Sequence, residues 1–170
     1  MRRSRLRVRD GNGEPVAEAG KSWTFEVTLQ RDGGRRARVS AGDRVRLEVG
    51  PPEGFGAADP SRWSPEHLYL AALQSCTMLA FLELAERNGV PVRDYRSTIE
   101  GTIARRDEDG RYAFVRVRHA PVVRVPPGQR DAARAIVAKA EHGCFVSAST
   151  KAEIVFDWEI REVAEVGAGG

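Results

Sequence analysis

The stretch SPEHLYLAALQSCTMLAFLELAERNG, residues 64–89, decides how the chain is organised. Ser64 is a strong N-cap, Pro65 suits the first helical position, and Glu66 complements the positive end of the helix. Gly89 and Pro91 close the segment, so the sequence predicts one helix from Ser64 to about Asn88. Leu68, Ala72, Ser75, Leu79 and Leu82 fall on one stripe, and Leu73, Cys76 and Ala80 on the neighbouring one. A wide apolar face rich in small residues predicts a central, largely buried helix.

On either side of this helix the hydrophobic period is two. Upstream, Leu6 and Val8 alternate with arginines. Trp23, Phe25, Val27 and Leu29 alternate with polar residues as in a half-buried strand, and Val45, Leu47 and Val49 repeat the pattern. Asp32, Gly33 and Gly34 mark a turn, so residues 22–49 read as antiparallel pairing. The loop from Gly50 to Arg62, rich in Pro and Gly, is long and irregular, a kind of segment that often carries function. Downstream, strands over about 95–105 and 111–125 are joined through Asp107, Glu108, Asp109 and Gly110. A second helix follows over about 128–141, with Gly143 as its cap. A last strand has Ala152, Ile154, Phe156, Trp158 and Ile160 on one face. The order βββ-α-ββ-α-β is an α+β class with mostly antiparallel sheets.

With 170 residues, 41% apolar and 30% charged, the chain has room for one domain. The reading is an N-terminal arm over 1–20, a single α+β domain over 21–164 and a disordered Gly-rich tail over 165–170. The longest unbroken apolar run, Leu68–Leu73, is far short of a bilayer span, and nothing at the start resembles a secretory leader. The expected location is therefore cytoplasmic, without membrane contact. A net charge of +3 is spread over alternating acidic and basic residues, which disfavours nucleic acid as a partner.

The chemistry-bearing candidates are few. No Ser sits in a nucleophile elbow, and His67, His119 and His142 lack a supporting context, each reading as a surface or strand residue. No glycine-rich nucleotide loop is present, so no bound cofactor is expected. Cys76, Cys144 and His142 lack the spacing of a zinc site, so no metal is expected either. Two cysteines remain, Cys76 on the long helix and Cys144 just past Gly143. From count alone, two buried inert thiols account for them.

The run Ser64-Pro65-Glu66-His67-Leu68, with Ala71-Ala72-Leu73 and Ser75-Cys76 behind it, resembles the P-E-E-L…A-A-x-x-x-C helix of the OsmC/Ohr family, the osmotically inducible and organic hydroperoxide resistance proteins. Cys144-Phe145-Val146-Ser147 is similar to that family's C-P-x-S motif, and Arg31-Asp32-Gly33 resembles its arginine-containing turn. Two departures stand out: His67 replaces the commoner second Glu, and Phe145 replaces Pro.

The resemblance, which spans about residues 22–160, implies a cysteine-based peroxidase that reduces organic hydroperoxides. Cys76 would be the attacking thiol, Cys144 the resolving one, Arg31 (or Arg62) the cation that favours the thiolate, and Glu66 the group holding that arginine. Leu73, Leu79, Phe81 and Phe55 would supply an apolar wall. The resemblance further implies an external dithiol reductant, such as a dihydrolipoyl group, and an intertwined homodimer. In a continuous helix, ten residues separate Glu66 from Cys76 by about 15 Å, so the expected active site is composite, with Glu66 of one chain approaching Cys76 of the other. The alternative is a non-catalytic OsmC-like domain that binds a small apolar ligand.

Overall fold

The computed structural model describes residues 22–56 and 59–164. The expected strand at Leu6 and Val8 and the Gly-rich tail lie outside the described residues. The chain divides into two compact units that meet between Trp63 and Ser64.

The first unit is a three-stranded antiparallel sheet of β1 (Thr28–Gly33), β2 (Arg36–Ser40) and β3 (Leu47–Val49), in that order. Gly33 and Gly34 take positive φ at the β1–β2 turn, the conformation that glycine adopts without steric cost. The sequence reading missed β2. Its RARVS run offers only Ala37 and Val39 as an apolar face, too short a signal to register as a strand, although Ala37 is buried. The expected half-buried strand over 22–30 also differs: pairing begins only at Thr28, and Trp23, Phe25, Val27 and Leu29 are all exposed. Alternation gives one apolar face, but its side chains stand exposed, Phe25 at 88%. The loop after β3 returns so that Trp63 lies beside it, with Trp63 N–H donating to Glu48 O and Gly50 N–H to Trp63 O, each at 3.0 Å.

The second unit opens with α1 (Pro65–Arg87) and the hairpin β4 (Asp94–Arg105) and β5 (Tyr112–Val125). It continues through α2 (Arg130–Ala135), α3 (Val137–His142) and α4 (Phe145–Ala148), and ends in β6 (Glu153–Phe156) and β7 (Glu159–Glu162). β4 and β5 pair antiparallel, whereas β6 and β7 both run parallel to β5. The expected last strand is therefore interrupted near Asp157, yet its register is kept: Val117 faces Ile154, His119 faces Phe156 and Val123 faces Ile160. The second helix is also divided, at Ile136, into α2 and α3.

The ends of α1 follow its sequence signals. Ser64 caps it, accepting from His67 N–H at 3.3 Å, while His67 Nδ1 accepts from Ser64 N–H at 3.4 Å. His67 thus closes the capping box that Glu or Gln usually completes. At the far end Gly89 adopts φ 65°. The expectation of a largely buried helix is corrected. Leu73, Thr77, Phe81 and Ala85 form one buried stripe, whereas Leu79 is 61% exposed and Ala72 and Ser75 are exposed too. β4, α3 and α4 pack against α1. Over 18 residues α1 has a mean hydropathy of 1.5, long and apolar enough by composition to match a membrane span, although it packs against the sheet. The core beneath it gathers Phe81, Ala85, Val123, Val125, Ala133, Ile136, Ala140 and Ile160. Burying each large side chain of this set contributes about 1.5–3 kcal/mol.

Candidate active site

Cys76 occupies the middle of α1, half-buried, and Cys144 is the fully buried N-cap of α4. Two local features bring the second thiol to the first. The Gly143 N–H donates to Lys139 O at 2.9 Å and ends α3. A Cβ on Gly143 would stand 3.2 Å from Lys139 O and 3.8 Å from Ala80 Cβ, so glycine lets the chain leave α3 tightly against α1. Cys144 then turns inward, 3.9 Å from Leu73 O, and its thiol and that of Cys76 are close enough to influence each other's ionisation.

The two sulfurs have different surroundings. Burial is the largest influence on Cys76 and pushes its thiol above the ordinary value. The Val146 and Phe145 N–H groups oppose that rise, and the Cys144 thiol adds to it. Burial also pushes Cys144 up, but the Ser147 hydroxyl and N–H, the Cys76 thiol and the Thr77 hydroxyl together outweigh it and leave Cys144 below the ordinary value. The Ser147 N–H lies 3.4 Å from Cys144 Sγ, and Ser147 Oγ 2.8 Å from Cys144 O. Sequence reasoning gave Thr77 and Ser147 no role. Ser147 was visible as the last residue of a motif; Thr77, whose hydroxyl donates to Leu73 O at 3.0 Å, carried no signal.

Of the remaining sequence candidates, Glu66 lies in the second unit and Arg31 and Arg62 in the first. Glu66 is in the first turn of α1, ten residues from Cys76 along an unbroken helix, about 15 Å away, and its Oε2 is buried without a partner among the described residues. Within one chain α1 does not bring Glu66 to Cys76. In the first unit, the Arg31 guanidinium donates to Gly34 O at 3.0 Å and is exposed. Arg62 is far more enclosed, held 3.1 Å from both Glu48 and Asp59, with its Nη1 buried and without a partner among the described residues. The expected apolar wall is not built as a wall: Leu73 and Phe81 are fully buried in packing, while Leu79 and Phe55 are exposed.

The OsmC-like protein family model matches residues 58–159, which include α1, both cysteines and β4 to β6. The chain belongs to the OsmC-like family. The fold agrees with that of other OsmC-like proteins. An OsmC-like protein of unknown function from Vibrio cholerae superposes with a TM-score of 0.73 at 17% identity, over 81% of this chain and 99% of its own. An organic hydroperoxide resistance protein from Elizabethkingia anophelis gives 0.66 at 20% identity, over 85% and 100%. Another from Legionella pneumophila gives 0.60 at 22% identity, over 83% and 98%. No curated protein matches the sequence.

Proposed function

We propose that this OsmC-like chain is a thiol-dependent peroxidase for organic hydroperoxides, acting in a thiol-reducing compartment such as the cytoplasm. The observation that carries this reading is the placement of a half-buried thiol, Cys76, on α1 and a second, fully buried thiol, Cys144, turned inward against the same helix, 3.9 Å from Leu73 O. The likeness in fold to organic hydroperoxide resistance proteins supports the choice of substrate.

In the proposed reaction the Cys76 thiolate attacks the terminal oxygen of a hydroperoxide. The O–O bond breaks, the alkoxide takes up a proton and leaves as the alcohol, and Cys76 becomes a sulfenic acid. The Cys144 thiolate then attacks the sulfenic sulfur, hydroxide leaves with a proton as water, and a disulfide forms. An external dithiol, such as a dihydrolipoyl group, returns two electrons and two protons. Because burial holds Cys76 up, a cation must favour its thiolate near neutral pH. We assign that role to Arg31 or Arg62, with Glu66 of a partner subunit in a homodimer orienting the guanidinium.

The test is consumption of cumene or tert-butyl hydroperoxide with dihydrolipoamide by wild type and Cys76→Ser. Turnover by wild type and its loss in the variant are expected. No turnover by wild type overturns the assignment and favours an apolar-ligand-binding domain.

A further inference from the structure

We propose that Tyr69 is a positioning residue for the buried thiol: its hydroxyl bond to Thr150 latches the segment Cys144–Thr150 onto α1, and release of that latch exposes Cys144. The proposal rests on Cys144 being the resolving thiol, but it concerns the placement of that thiol and not peroxide chemistry.

The segment moves as a unit because it is bonded to itself. The Ala148 N–H donates to Cys144 O at 3.1 Å, the Ser149 N–H to Val146 O at 3.1 Å and the Thr150 N–H to Ser147 O at 3.3 Å. The Ser147 hydroxyl donates to Cys144 O at 2.8 Å and the Ser149 hydroxyl to Phe145 O at 2.7 Å. No residue of α4 is buried, so the turn between Cys144 and Thr150 adds little to the core. The segment is fastened to α1 at both ends: Cys144 Sγ lies 3.9 Å from Leu73 O, and the Tyr69 hydroxyl donates to Thr150 Oγ1 at 2.6 Å. A thiol is a weak donor, which leaves the hydroxyl pair as the stronger of these two bonds.

Tyr69, Leu73 and Cys76 follow one another at i, i+4 and i+7. The latch, the carbonyl against Cys144 and the first thiol therefore share one face of α1, with Tyr69 about 10 Å along the axis from Cys76. The Tyr69 ring stacks on Phe114 at 4.5 Å, which aims the hydroxyl. Phe114 in turn fills the space over Gly101, where a Cβ would stand 2.6 Å from its ring. Thr150 Oγ1 also accepts from the Ala152 N–H at 3.2 Å, so the same oxygen ties the latch to the residue before β6. A closed latch keeps Cys144 against the helix that carries Cys76, the proximity that disulfide formation needs.

Cys144 is fully buried, so an alkylating reagent reaches it when the segment lifts, and its labelling rate reads the open population. Initial rates of iodoacetamide labelling on the reduced chain, followed by peptide mass mapping, give Cys144 and Cys76 separately. Tyr69→Phe keeps the stacked ring and removes the hydroxyl; it should label Cys144 about threefold to tenfold faster, with the Cys76 rate unchanged. Thr150→Val should also speed Cys144 labelling, and Thr150→Ser, which keeps the hydroxyl, should label as wild type does. Tyr69→Phe combined with Thr150→Val should be no faster than Thr150→Val alone. The gain should persist in low urea without climbing steeply, as a local opening does and unfolding of the whole unit does not. Unchanged Cys144 labelling in Tyr69→Phe, an equal gain in Thr150→Ser, or a gain that follows urea as global unfolding does overturns the proposal. None of these readouts uses peroxide, so a chain that shows the latch but turns over no hydroperoxide overturns the peroxidase assignment alone.

Discussion

His119 is fully buried on β5, its ring 5.6 Å from that of Phe156, and among the described residues neither of its ring nitrogens has a hydrogen-bond partner. Burial lowers its pKa to about 4, so the imidazole is neutral in the folded chain. The unfolded chain binds a proton near pH 6.5, so this site costs nothing above that value. Stability is lost as pH falls from about 6.5 towards 4 and levels off below, by about 3 kcal/mol in all. His119→Leu removes both the proton site and the unpaired nitrogens at similar volume. Urea unfolding across that window should show a shallower decline for the variant than for wild type; parallel declines would mean that His119 is protonated at no cost.

At the scale of elements, Gly101 shows how closely α1 is seated on the hairpin. A Cβ there would lie 2.6 Å from Phe114 Cε1 and 2.9 Å from Leu70 Cδ2. Phe114 has little freedom to yield, because it stacks on Tyr69 at 4.5 Å, and Tyr69 donates to Thr150 Oγ1 at 2.6 Å. Gly101→Ala should therefore destabilise the second unit by about 1–3 kcal/mol, visible as a lower urea midpoint with an unchanged slope. An unaltered midpoint would show that α1 slides freely. The caps of α1 and the hairpin turn at Gly110 were legible in the sequence because their chemistry is local: Ser64, Pro65 and Gly89 act within a few residues. The features that depend on distant packing were not. The seating of Cys144 against Leu73 O follows from where α3 ends, and nothing around Ile136 marks the break between α2 and α3. The site was legible as two thiols and a spacing, but the Ser147 N–H directed at Cys144 Sγ was not.

At the scale of the whole molecule, large apolar side chains stand exposed on the face of α1 that carries Leu79, in the second unit, and at Phe25, Val27 and Leu29, in the first. Single exposed apolar residues are ordinary, but contiguous ones on a regular element mark an interface. The proposed intertwined homodimer would cover them, and sedimentation at micromolar concentration should give twice the chain mass; a monomer would contradict it. If the site is composite, mixing Glu66→Ala with Cys76→Ser subunits should yield heterodimers with one intact site, so activity should reappear that neither variant has alone. No recovery after verified subunit exchange would place each site within one chain. The central claim, that Cys76 and Cys144 work as an attacking and a resolving thiol, is tested most directly by adding one equivalent of cumene hydroperoxide to the reduced protein and measuring its mass without reductant. The account predicts a loss of two protons, a Cys76–Cys144 crosslinked peptide and one equivalent of cumyl alcohol. An unchanged mass, or stable sulfinic acid at Cys76 with Cys144 still a free thiol, would contradict it.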